Sequence, residues 1–211
     1  TFIRSRIHHK VDFYNYESYN DFMKNKSIIL LGIKHSGKST QGELLANHIG
    51  CPFIDIDTVI TEMTGKTPRE LYNENGPARF MEAEENACIQ TAQKYKDSQV
   101  VIATGGGICE NAPALEKLRQ LGEFVFINVE ENIAAGRILK KAERNEDGTW
   151  KNLPAYIAKE NPKTEAEIRK LFHTFYEKRT ETYKQIADIT IDTKDKTKQE
   201  NARFIAETLG F

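Results

Sequence analysis

Short apolar runs alternate with longer stretches of helical spacing along most of the chain. Ile28 to Leu31, Pro52 to Ile56, Gln99 to Ala103, Glu123 to Val129 and Asp188 to Asp192 read as strands. Between them, Gln41 to Ile49 puts Leu44, Leu45, His48 and Ile49 on one helical face. Ala78 to Tyr95 does the same with Phe80, Ala83, Ala87 and Thr91. Thr58 to Thr64 and Pro68 to Asn73 read as two helical pieces joined through Gly65-Lys66-Thr67, and Gly76-Pro77 opens the helix that follows. Ala112 to Leu121, Glu131 to Ala142 and Lys198 to Leu209 are also expected to be helical. Thr164 to Ala187 is a long helix, capped by Thr164 with Glu167 three residues on. This order predicts an α/β fold whose parallel sheet carries helices on both faces.

Two segments stand outside the alternation. Residues 143–163 are polar, include Gly148, Pro154 and Pro162, and read as a loop or lid inserted in the domain. Residues 1–26 open basic (Arg4, Arg6, His8, His9, Lys10) and turn aromatic (Phe13, Tyr14, Tyr16, Tyr19, Phe22). They form an expected N-terminal extension to a domain spanning 27–211: an arm packed on the domain, or a surface for self-association.

A length of 211 residues suits one domain with a generous core. Lys plus Arg number 30 against 31 Asp plus Glu, a net charge of −1, which gives no reason to expect nucleic acid or an anionic membrane as partner. Cys51, Cys88 and Cys109 share no metal-like spacing, and an odd count argues against a disulfide framework. They read as reduced thiols of a cytoplasmic protein. No apolar run approaches the ~18 residues of a membrane span, and no signal peptide is visible.

The chemistry concentrates where strands end. Directly after Ile28 to Leu31, the residues Gly32, Gly37, Lys38 and Ser39 fill G-x-x-x-x-G-K-[ST], the phosphate-binding loop. Its glycines let backbone N–H groups surround phosphate oxygens, and the next helix turns its positive end to the same anion. Gly32, Ser36, Gly37, Lys38, Ser39 and Thr40 are therefore the nucleotide-binding candidates. Lys38 would reach the β- and γ-phosphates of ATP, and the Ser39 hydroxyl would bind Mg²⁺. Asp55 and Asp57 alternate along the end of the second strand. Beside a phosphate loop, one can hold the magnesium water shell while the other orients or deprotonates an attacking hydroxyl. Gly105-Gly106-Gly107 follows the third strand, and three missing Cβ atoms suit close approach of backbone to a small-molecule substrate.

With these residues in view, the chain resembles shikimate kinases, members of the nucleoside-monophosphate-kinase-like P-loop fold. The likeness covers about Lys26 to Leu209. It rests on the phosphate loop, Asp55-x-Asp57, Gly76-x-x-x-Phe80-x-x-x-Glu84, Thr104-Gly105-Gly106-Gly107 and Lys178-Arg179-x-x-x-Tyr183. The resemblance implies ATP-dependent phosphorylation of the 3-hydroxyl of shikimate. It implies that Asp57 contacts the reacting hydroxyl, Asp55 supports Mg²⁺, Gly106 and Gly107 present backbone, Arg179 binds the substrate carboxylate, and Arg137 stacks on adenine.

Two positions depart from the family pattern. Met81 stands where the family has an arginine after the phenylalanine, a second carboxylate anchor, and Arg79 lies on another helical face. Leu153-Pro154 stands where the family lid has Arg-Pro; Lys151 and Arg144 are candidate substitutes. Two other readings therefore stand beside a shikimate kinase with rearranged anchors. One is a related small-molecule kinase with a non-shikimate substrate. The other is a catalytically silent nucleotide-binding regulatory protein, against which Lys38, Ser39, Asp55 and Asp57 speak.

Overall fold

The first strand, β1 (Ser27–Leu31), is buried along its whole length. Its side chains alternate between two helical layers, as the period of a strand requires. Ile29 and Leu31 join one core cluster, Ile28 and Leu30 the other. The computed structural model describes residues 26–193 and 197–211, so the expected N-terminal arm and its self-association lie outside the described residues.

Five parallel strands make the central sheet in the order β2-β3-β1-β4-β7. They are β1, β2 (Phe53–Asp55), β3 (Val101–Ala103), β4 (Gly122–Val129) and β7 (Ile189–Thr193). One face is covered by α1 (Lys38–Ile49) and α8 (Lys198–Thr208), which pack Leu45, Ala46, Ile205 and Ala206 against Val101, Val125 and Ile191. The other face holds α2 (Ile56–Thr64), α3 (Pro68–Lys94), α4 (Ala112–Arg119), α5 (Glu131–Lys141) and α7 (Glu165–Ile186). There Tyr183 is fully buried and stacks on Phe126 at 5.3 Å between ring centroids. The α/β fold expected from the alternation is the fold observed, with helices on both faces.

Three local differences bear on the site. The second strand ends at Asp55, whose carboxylate accepts from the Asp57 N–H and caps α2. Asp57 therefore sits in the first turn of a helix rather than alternating along a strand, because the Asp55 cap starts the helix immediately. Pro68–Lys94 runs as one helix across a kink where Gly76 takes φ 79 and ψ 174, so the two expected helices abut. Finally, residues 143–163 contain an antiparallel pair, β5 (Glu143–Arg144) and β6 (Trp150–Lys151), and a short helix, α6 (Ala155–Ala158). Leu153 and Ile157 from this polar segment are buried in the core of the second face. A pair of large apolar side chains is enough to anchor a segment whose composition reads as loop.

Candidate active site

The carboxyl ends of β1, β2 and β3 open on one cleft of about 770 Å³. This is where a parallel sheet, switching direction about its first strand, leaves room for a ligand. The phosphate loop forms its floor. Gly37 caps α1 with φ 102, a left-handed conformation that favours glycine, and this turns the loop into the helix. Lys38 is 7% exposed, and its ammonium donates to the carbonyls of Gly32 (2.8 Å) and Ile33 (2.9 Å). Desolvation lowers its pKa to about 8, with Asp57 and Asp55 opposing the shift. Anionic phosphates arriving beside it would favour the charged form.

Around this floor the sequence-predicted residues converge. Ser36, Gly37, Lys38, Ser39, Thr40, Asp55, Asp57, Gly105, Gly106, Gly107, Arg137 and Arg179 all line the cleft, while Gly32 contributes the carbonyl that holds Lys38. The Ser39 hydroxyl donates to Asp55 at 2.5 Å, bringing the two expected magnesium ligands together. Two hard oxygen donors fit Mg²⁺, which takes few protein ligands and completes its shell with water and phosphate. Among the described residues no group of three or more His, Cys, Asp and Glu side chains forms a denser metal site.

Asp57 faces the same space. Its pKa is raised by desolvation and by Asp55, with Lys38 and Lys34 opposing. The glycine turn approaches the loop closely: a Cβ at Gly106 would lie 2.5 Å from the Lys34 amide nitrogen. Arg179 spans the turn, donating to the Gly106 carbonyl at 3.1 Å and to Glu110 at 3.2 Å. The Tyr156 and Phe175 rings flank its guanidinium at 5.0 and 5.4 Å. Arg137 donates to the carbonyls of His35 (2.8 Å) and Ser36 (3.3 Å), above the outer edge of the loop.

A family model described as shikimate kinase matches residues 34–210. The chain belongs to the shikimate kinase family. A shikimate kinase from Chlorobium phaeovibrioides is 35% identical over 150 residues, covering 66% of this chain and 75% of that protein. Two solved structures are similar throughout. The shikimate kinase from Acinetobacter baumannii in complex with shikimate has a TM-score of 0.70 at 26% identity, covering 90% of this chain and 96% of that one. The shikimate kinase from Bacteroides thetaiotaomicron has a TM-score of 0.71 at 27% identity, covering 88% and 99%. As a small-molecule kinase of this family, the protein uses ATP as co-substrate.

The two departures from the shikimate kinase pattern take physical form here. Met81 lines the cleft, whereas Arg79 is exposed and pairs with Glu82 at 2.7 Å. Leu153 is 1% exposed and packs in the core, and together with Pro154 it forms part of the cleft wall. Neither Lys151 nor Arg144 lines the cleft; Arg144 stands over the Trp150 ring at 5.7 Å instead. Besides Lys38, Arg137 and Arg179, the lysines and arginines that reach the cleft are Lys34, Arg69, Lys141, Lys159 and Lys198.

Glu84 also acquires a place that its motif position alone did not give. It is 1% exposed, accepts from the Asn111 amide at 2.9 Å, and keeps a second oxygen, Oε1, without a partner. Desolvation raises its pKa to about 7, against the Asn111 hydrogen bond. A buried carboxyl beside Gly105 and Asp57 can donate a proton to a bound hydroxyl as readily as accept one.

Proposed function

We propose that this protein transfers the γ-phosphoryl group of ATP to the 3-hydroxyl of shikimate. One observation carries the reading. Asp57, the Gly106-Gly107 backbone and Arg179 face the phosphate loop across a single cleft, with contacts suited to a hydroxyl, a close-lying ring and a carboxylate. Arg179 is suited to the carboxylate because its fork offers directed donors and its charge is only partly neutralised by the exposed Glu110.

In this reading Lys38 and the loop N–H groups of Ser36 to Thr40 bind the β- and γ-phosphates. Ser39 and Asp55 hold Mg²⁺, which supplies charge neutralisation at the phosphates when bound. Asp57 accepts the proton of the attacking hydroxyl, and its raised pKa suits it to that task. The hydroxyl oxygen bonds to the γ-phosphorus as the bond to the bridging oxygen breaks, and ADP leaves with that electron pair. Arg137 contributes at the nucleotide end, above the loop. The site works by positioning and by fixed charge, the effects that dominate phosphoryl transfer. Three free thiols fit a reducing, cytoplasmic setting.

Met81 supports a second reading, in which the acceptor hydroxyl belongs to a related small molecule without a carboxylate. Coupled-enzyme turnover with shikimate and with uncharged polyols such as glycerol and inositol tests both, with Lys38→Met as the inactive control. Shikimate is expected to be the preferred acceptor; preference for an uncharged polyol would overturn the first reading in favour of the second.

A further inference from the structure

Four of the eight Lys and Arg residues that line the cleft are already engaged by the protein. Lys38 is held by loop carbonyls, Arg137 by the loop's outer edge, Arg179 by Gly106 and Glu110, and Lys159 lies 3.8 Å from Glu160. Leu153, at the position where the family lid carries its arginine, brings no charge. Lys34 is different. It lines the cleft from inside the phosphate loop, and its side chain makes no hydrogen bond or ion pair among the described residues.

Lys34 also spans the two halves of the cleft. Its backbone is pressed against Gly106 on the acceptor side. The cleft walls partly desolvate its ammonium and lower its pKa; Asp57 opposes that shift, while Arg69 and Lys141 add to it. Asp57 belongs to the acceptor half, whereas Lys141 sits near His35 at the outer edge of the loop. Arg69, Lys141 and Lys198 are the other unengaged cations of the cleft among the described residues. Lys141 acts on Lys34 and His35, whereas Asp57 feels Lys38 and Lys34. An unpaired ammonium lining the cleft beside Asp57 is within the space between a γ-phosphate on the loop and a hydroxyl on Asp57. Several like charges gathered here, with Asp57 as the nearby carboxylate, leave that space favourable to a further anion.

We propose that Lys34 is the second cation of phosphoryl transfer, contacting the γ-phosphoryl oxygens and doing from the phosphate loop what a lid arginine does elsewhere in the family. The proposal rests on the kinase reading above but not on shikimate as acceptor. During transfer the bond between the γ-phosphorus and the bridging oxygen breaks, the acceptor oxygen bonds to phosphorus, and the acceptor proton passes to Asp57. Lys34 stays protonated throughout and offsets the charge on the moving group. This explains how Leu153 can be apolar and buried without loss of the chemistry.

The test compares affinities for ADP and for a non-hydrolysable ATP analogue, by titration calorimetry with magnesium present, in the parent, Lys34→Met and Lys34→Arg. Lys34 is exposed, so the variants are expected to keep the parent melting temperature. Lys34→Met should bind ADP within about twofold of the parent but bind the ATP analogue about 5–20-fold more weakly, a loss of the γ-phosphate contact alone. Its kcat should fall about 10²-fold, the usual effect of losing one charge-stabilising donor. Lys34→Arg should restore most of the analogue affinity. An unchanged ratio of analogue to ADP affinity in folded Lys34→Met would overturn the assignment, whatever kcat does. The affinity ratio needs no acceptor, so the proposal for Lys34 and the proposal for shikimate fail independently.

Discussion

The backbone of Lys34 runs so close to Gly106 that a Cβ at 106 would lie 2.5 Å from the Lys34 nitrogen and 2.8 Å from its Cα. Both are backbone atoms, so a side chain at 106 cannot be accommodated by a rotamer change. Gly106→Ala must push the glycine turn and the phosphate loop apart. Overpacking of this kind costs about 1–3 kcal/mol of stability. Separating the nucleotide and acceptor halves by a few tenths of an ångström should lower kcat at least tenfold. Thermal unfolding and steady-state turnover of the variant check both effects; full activity would mean the two loops part freely.

Local pattern made the nucleotide half of this site readable. The phosphate loop is contiguous, its spacing is dictated by backbone geometry, and a buried strand and a helix flank it. Gly105 to Gly107 and Asp55 are readable for the same reason, since Asp55 ends β2 and the glycines come one residue after β3. Asp57 stands out in the motif, but its helical setting does not: the Asp55 cap starts α2 at once, and a cap is a tertiary choice as much as a local one. The roles of Lys34 and Glu84 depend on neighbours far along the chain, Gly106 for one and Asn111 for the other. Leu153 and Ile157 sit in a polar stretch where no periodicity marks them, yet both are buried. Their packing is decided by the space beside α7, which no window of sequence contains.

Glu84 gives the fold a pH dependence with a definite sign. Its carboxyl is raised from 4.5 to about 7 by desolvation, so the folded state binds its proton more tightly than the unfolded chain. That stabilisation is complete below the unfolded pKa and is lost as pH rises through about 4.5 to 7. Glu84→Gln keeps the shape and removes the titration. Relative to the parent, the variant should therefore gain about 2–3 kcal/mol of stability between pH 5 and pH 8. Denaturant melts at the two pH values measure the difference directly. A parallel pH dependence in parent and variant would show that Glu84 is not the titrating group.

Residues 143–163 should exchange amide protons unevenly. Leu153 and Ile157 pin the later part to the core, and Pro162 is also buried. The earlier part, from Arg144 to Lys151, is a two-residue pair of strands around an exposed turn at Asp147 and Gly148. We expect fast exchange in the turn without ligand, slowed by ATP with acceptor, and slow exchange at Ile157 and Ala158 in both states. Hydrogen exchange read by mass spectrometry resolves the two stretches. Equal protection throughout would mean the whole segment is a fixed insertion.

Met81 is the position where substrate identity can be decided. It lines the cleft one helical turn from Glu84, whose Oε1 has no partner. Met81→Arg would place a guanidinium where Glu84 can pair with it, lowering the Glu84 pKa and offsetting repulsion from Arg179. If the acceptor is shikimate, the new arginine adds a charge-assisted contact to its carboxylate of about 1.5–3 kcal/mol. That corresponds to roughly a 10–150-fold gain in kcat/KM for shikimate. If the acceptor carries no carboxylate, Met81 is apolar wall, and the same change lowers turnover of the true substrate while leaving shikimate untouched. Steady-state kinetics of parent and variant against shikimate and an uncharged polyol such as inositol separate the cases. A gain confined to shikimate supports the carboxylate anchor. No gain, together with a parent that does not phosphorylate shikimate, leaves the reading in which Met81 and Leu153 shape the cleft for an uncharged acceptor.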